Sequence, residues 1–126
     1  MSISENKEFV RRYLEAISGK PKTEAVLDLF MTDESLKEHI AAAEAGLPLY
    51  WLDAEEIIAE GDVVAIRGRV RGRHLGTLAG VPATGKDVDF NIFVSYRIAD
   101  GKIVDHWMLT DNMALLQQIG AIPVPA

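Results

Sequence analysis

The stretch Ala59–Gly120, AEGDVVAIRGRVRGRHLGTLAGVPATGKDVDFNIFVSYRIADGKIVDHWMLTDNMALLQQIG, decides the fold. Apolar and polar residues alternate over long runs, the period of a strand with one buried face. Together with the residues from Tyr50 onward, the alternation predicts strands near 51–60, 62–75, 86–99 and 102–110. Gly61 separates the first pair. Asp100-Gly101 is a two-residue hairpin signal, because a type I′ turn needs positive φ at both positions. The segment 76–85, GTLAGVPATG, is a longer Gly/Pro loop between two long strands.

The alternation also sets a register. Val64, Ile66, Val70 and His74 share one face of the second strand, and Arg67, Arg69, Arg71 and Arg73 the other. In the third strand Val88, Phe90, Ile92, Val94, Tyr96 and Ile98 lie opposite Asp87, Asp89, Asn91, Phe93, Ser95 and Arg97. Pairing the two sets Val70 beside Phe90, and Arg71 and Arg73 beside Asp89 and Asp87, so like meets like on each face. A two-residue turn then places Ile98 beside Ile103. Uninterrupted alternation from there sends Asp105, Trp107, Leu109 and Asp111 inward and leaves His106 outside. A three-residue turn sends Val104, His106, Met108 and Thr110 inward instead. The first matches more apolar residues to the apolar face and is preferred.

Outward from this sheet, helices are predicted on both sides. Ser2 and Glu5 form a capping-box pattern before Phe9, Val10, Tyr13, Leu14 and Ile17 at helical spacing, and Gly19 and Pro21 end the run. A short helix starts at Thr23 and carries Val26, Leu27 and Phe30. A third runs from about Asp33 to Ala45. A last one follows Asp111, with Met113, Leu115, Leu116 and Ile119 before the stop at Gly120. Helices flanking one antiparallel sheet make an α+β domain, and 126 residues suit a single one. A curved sheet covered this way leaves room for a small ligand between the layers.

Composition narrows the partners. A net charge of −6 argues against nucleic acid, since phosphate binding needs a basic field. The absence of cysteine removes thiolate chemistry, and no run reaches the ~20 apolar residues of a membrane span. The polar start MSISENKEF does not look like a signal peptide, so a cytoplasmic location is expected. No His-x-His or His-Glu-x-x-His pattern occurs, so no metal site is expected.

The chain resembles the SnoaL-like polyketide cyclases of the nuclear transport factor 2-like superfamily. The resemblance rests on AEGD at 59–62, Arg67, His74-x-Gly76, Gly80-Val81-Pro82-Ala83-Thr84-Gly85 and Tyr96-Arg97. It continues through Asp100-Gly101-Lys102-Ile103, Trp107, Asp111 and Leu115-Leu116-x-Gln118-Ile119-Gly120. Ala83 stands where the family usually has a second proline. Ile40 and Ala41 follow His39 where asparagine and proline are usual. The resemblance implies a cone of helices on a curved sheet, commonly dimeric. It also implies ring closure by intramolecular aldol condensation, or related lyase or isomerase chemistry, without metal or organic cofactor. Asp111 matches the aspartate that serves there as acid/base.

Such chemistry removes a proton from a carbon between carbonyls. One carboxylate in an apolar pocket can shuttle that proton. Asp111 is the candidate, with His74 assisting from beside the Gly-rich loop. The plainer reading is that Asp111 caps the last helix and His74 satisfies a backbone group. His39, Tyr13, Tyr50, Trp51, Phe90 and Trp107 are candidate walls of a pocket for a small hydrophobic or aromatic ligand. A binding protein that keeps the pocket without the reaction is the alternative.

Overall fold

A computed structural model describes residues 2–123. The helices are α1 (Ile3–Ile17), α2 (Glu24–Asp28), α3 (Glu34–Gly46) and α4 (Asn112–Gln118), and the strands are β1 (Trp51–Glu60), β2 (Val63–Arg73), β3 (Asp87–Ala99) and β4 (Lys102–Thr110). The strands form one antiparallel sheet in the order β1-β2-β3-β4. The predicted elements are all present, and the ends follow the expected chemistry. The Ser2 hydroxyl accepts from Glu5 N–H while the Glu5 carboxylate accepts from Ser2 N–H, both at 3.1 Å. Thr23, Asp33 and Asp111 cap the other three helices. Among the described residues no helix is long and apolar enough to cross a membrane.

Pairing of β2 with β3 follows the predicted register, with Val70 opposite Phe90, Arg71 opposite Asp89 and Arg73 opposite Asp87. The inner face carries Val64, Ile66, Val70, Val88, Phe90, Ile92, Val94 and Tyr96, all buried in one core that also takes in α1 residues such as Val10, Tyr13 and Ile17. On the outer face Arg69 pairs with Asp89 at 2.7 Å, Arg71 with Asp53 at 2.7 Å and Arg73 with Asp87 at 2.8 Å. The arginine row is thus a neutralised ladder.

The sheet curls at two irregularities. Between Ala54 and Glu56 the register with β2 shifts. Gly68 lies opposite, and a Cβ there would stand 2.5 Å from the Asp53 carbonyl oxygen. The second irregularity corrects the sequence reading of β4. The Asp100-Gly101 turn does set Ile98 against Ile103, but Arg97 then faces Asp105, leaving Val104 as an extra residue. A bulge of one residue exchanges the two faces of everything after it. Beyond it His106, Met108 and Thr110 stand opposite the inward residues Tyr96, Val94 and Ile92. Trp107 and Leu109 are instead exposed on the outer face, 57% and 64%.

Residues 30–32 fix this arrangement. Ile103 N–H donates to the Phe30 carbonyl at 2.8 Å and Thr32 N–H to the Ile103 carbonyl at 3.0 Å. The edge of β4 is thereby occupied where the bulge begins, and the chain is delivered to Asp33 beside His106.

Candidate active site

Helix α3 and the concave sheet face do not fill the space between them. A cavity of about 470 Å³ remains, within the usual range of small-molecule sites. Small side chains keep it open, with Ala42 and Ala43 among the residues α3 turns toward it. Leu52, Val70, Phe90, Ile92 and Val94 supply its sheet wall, Leu36, Ile40 and Leu47 the opposite wall, and Leu78 enters from the Gly-rich loop.

Polar groups in this apolar lining are few. Tyr13, Tyr50 and Tyr96 are buried, while His39, Thr110 and Asn112 line the more open side. Burial pushes the ionisation of all three phenols upward, and for Tyr13 a charge on Tyr96 or Tyr50 would push it further. All three therefore carry their protons at neutral pH. Tyr13 and Tyr96 meet edge to face with ring centroids 5.7 Å apart. Lys22 Nζ lies 4.1 Å from the Tyr50 ring centroid, donates to the Tyr50 carbonyl at 3.0 Å and pairs with Glu44 at 2.9 Å. Desolvation lowers the Lys22 pKa.

Behind His39 stands a pair that the sequence reading missed. His106 Nδ1–H donates to Asp33 Oδ2 at 2.7 Å, and both side chains are nearly buried. Asp33 Oδ1 meanwhile accepts from Leu36 N–H at 3.0 Å, so the carboxylate is held on both oxygens. The rings of His39 and His106 meet edge to face at 5.3 Å. Uninterrupted alternation places His106 outside, and the Val104 bulge brings it in.

Of the expected pocket residues, Tyr13, Tyr50, Phe90 and His39 do line the cavity. Trp107 and Trp51 do not. Trp107 is turned to the convex face by the bulge and meets Phe93 at 6.4 Å. Trp51 precedes the inward Leu52 on β1 and is exposed, with the Arg71 guanidinium 5.6 Å from its ring. Tyr96, on the inward face of β3, also lines the cavity, which its place in the alternation alone does not reveal.

Asp111 is exposed, not enclosed by apolar neighbours as expected. Its Oδ1 accepts from Ala114 N–H at 3.0 Å and caps α4. The bulge again explains the difference, because it carries Thr110 inward and Asp111 to the rim. Both chain neighbours, Thr110 and Asn112, line the cavity. His74 is fully buried but does not line it. Its Nδ1 lies 2.9 Å from Thr84 Oγ1 and accepts from Thr84 N–H at 3.3 Å, pinning the Gly-rich loop. Gly76 shows why that loop needs its glycine, since a Cβ there would stand 1.9 Å from the Ala45 carbonyl oxygen.

The family model for SnoaL-like polyketide cyclases matches residues 31–119, which span α3, the whole sheet and α4. The chain belongs to the SnoaL-like polyketide cyclase family. A curated relative, the aklanonic acid methyl ester cyclase DnrD of Streptomyces peucetius, is 38% identical over 68 residues, covering 52% of this chain and 47% of that protein. The match thus spans about half the length of the relative. Among solved structures, AclR of Streptomyces galilaeus, for which a hydroxylase activity has been suggested, superposes with a TM-score of 0.85. It is 24% identical, with 99% of this chain and 87% of that one covered. A suggested SnoaL-like polyketide cyclase from Jannaschia sp. CCS1 gives a TM-score of 0.82 and 26% identity, covering 98% and 97% of the two chains. The family's helix-covered curved sheet is the fold found here.

Proposed function

We propose that the protein is a cofactor-independent, cyclase-type enzyme acting on a small, hydrophobic, polyketide-like substrate. The observation that carries this is the apolar cavity lined by His39, with the family-matching Asp111 between two cavity-lining residues, Thr110 and Asn112. The reaction is an intramolecular aldol condensation, or a carbon-acid isomerisation sharing its first step. A carboxylate takes the proton from carbon between two carbonyls, the enolate attacks a second carbonyl, and the alkoxide recovers a proton.

Asp111 is the proposed acid/base. One of its oxygens is engaged with α4, which fixes the side chain at the rim. Thr110 and Asn112 on either side of it line the cavity. His74 supports the site from a distance by holding the loop that carries Leu78 into the cavity. A second reading makes His39 the proton carrier, because it lines the cavity directly and has the Asp33–His106 pair behind it. The protein is further proposed to act as a homodimer.

Aklanonic acid methyl ester, the compound in the name of the relative, is the first substrate to test. Asp111→Asn is the informative variant because asparagine caps a helix as well as aspartate does. Its kcat should fall by about 10²-fold or more, with KM little changed. Unchanged turnover in Asp111→Asn, with loss in His39→Gln, would move the role to His39. Binding without turnover by the wild type would favour the non-catalytic alternative.

A further inference from the structure

Tyr13, Tyr50 and Tyr96 reach one cavity from three different elements, α1, the residue before β1, and β3. Their side chains are almost entirely enclosed, 1%, 5% and 1% exposed. A buried phenol normally finds a partner for its hydroxyl. Among the described residues none of these hydroxyls forms a hydrogen bond. They are not sealed off either. Among the described residues the sealed polar atoms without a hydrogen bond are Asn6 Oδ1, Glu44 Oε2 and His74 Nε2, and the tyrosine hydroxyls are not among them. The hydroxyls belong to side chains that line the cavity, so the cavity is where a partner for them would stand.

Three neutral O–H donors around an apolar space call for acceptors that carry no full negative charge. The nearest ammonium, Lys22, is already matched by Glu44 and by the carbonyls of Lys20 and Tyr50. A carboxylate or phosphate placed among the three tyrosines would lie away from any free ammonium and at a large desolvation cost. Carbonyl and enol oxygens carry no such penalty. Moreover, a phenol donor strengthens its bond as a carbonyl oxygen gains charge toward an enolate, which is where differential stabilisation arises.

We infer that Tyr13, Tyr50 and Tyr96 form a hydrogen-bonding frame that selects ligands bearing two or more carbonyl or enol oxygens on an otherwise apolar skeleton. This rests on reading the cavity as the substrate site. It adds the feature that distinguishes a polycarbonyl compound from a hydrocarbon of the same shape.

The test compares 1-(2-naphthyl)butane-1,3-dione with 2-butylnaphthalene, which has the same carbon skeleton and no oxygen. Binding to the wild type and to Tyr→Phe variants at the three positions, singly and together, is measured by calorimetry. The enol absorbance of the diketone is followed in parallel. The wild type should bind the diketone at least about tenfold more tightly. Each effective Phe change should weaken the diketone about fivefold to tenfold and leave the hydrocarbon unchanged. The triple variant should bind both alike. Because the hydroxyls have no partner in the protein, these variants should melt no lower than the wild type. Equal affinity of the wild type for the two probes, no binding of either, or discrimination that survives in the triple variant overturns the frame. Discrimination without any turnover of aklanonic acid methyl ester would leave the frame standing and remove the cyclase reading. Turnover without discrimination would do the reverse.

Discussion

Each cavity tyrosine holds its proton more tightly in the folded chain than in the unfolded one, because burial opposes the phenolate. A raised folded pKa contributes stability that is fully present below the unfolded value near pH ~10 and is lost as pH rises above it. In that window the unfolded chain releases protons that the folded chain keeps. The slope is about 1.4 kcal/mol per pH unit for each such tyrosine. The urea midpoint of the wild type should therefore fall steeply between about pH 9.5 and 11. The triple Phe variant should be markedly flatter. Lys22, whose pKa is lowered, acts in the opposite sense just below its usual range, so the diagnostic is the difference between the two proteins. Equal slopes would mean that the phenols ionise in the fold as easily as in water. At this scale the sequence showed Tyr13 and Tyr50 as pocket residues and placed Tyr96 on the correct face. Their shared environment was not legible, because it depends on α3 lying over the sheet without filling it.

Among the elements, β4 separates what alternation can reveal from what it cannot. Caps, helix stops and the Asp100-Gly101 turn each have a local residue signature, and each appears where that signature stands. The bulge has none. Val104 is an ordinary β-branched residue, and it becomes the extra one because 30–32 pair with Ile103 from another part of the chain. That long-range contact reverses the reading of seven following positions, Asp105 to Asp111. It turns Trp107 outward, brings His106 to Asp33, and moves Asp111 to the rim. Deleting Val104 should restore plain alternation and drive Asp105, Trp107 and Leu109 toward the core while expelling His106 and Met108. Burying an unpaired Asp105 and losing the Asp33–His106 bond should together destabilise the protein by roughly 3 kcal/mol or more. Thermal or urea denaturation measures this. A deletion variant as stable as the wild type would show that β4 tolerates either register.

For the whole molecule, the bulge has a second consequence, on the convex side of the sheet. Phe93, Trp107 and Leu109 are exposed together there by 40%, 57% and 64%, with Ile58 exposed by 54% on β1. In the ladder Phe93 faces Leu109, and Ala65 stands between Ile58 and Ser95, which in turn faces Trp107. These residues form an apolar patch on β3 and β4, linked to Ile58 through Ala65 and Ser95. The charged rows beside it are already matched, Arg69 by Asp89, Arg73 by Asp87 and Arg97 by Asp62. Much of the charge a second copy would meet on this face is thus already paired, despite the net charge of −6. An apolar patch of this kind on an otherwise charged protein is the usual mark of an interface. We propose this convex face as the surface on which the homodimer would form, back to back. Trp107→Asp should give a monomer in sedimentation equilibrium at concentrations where the wild type is a dimer. It should keep 1,3-diketone binding at its own cavity, because Trp107 lies on the other side of the sheet. A wild type that sediments as a monomer at about 100 μM would rule out a dimer of even moderate affinity. A Trp107→Asp protein that remains dimeric would place the contact on some other surface.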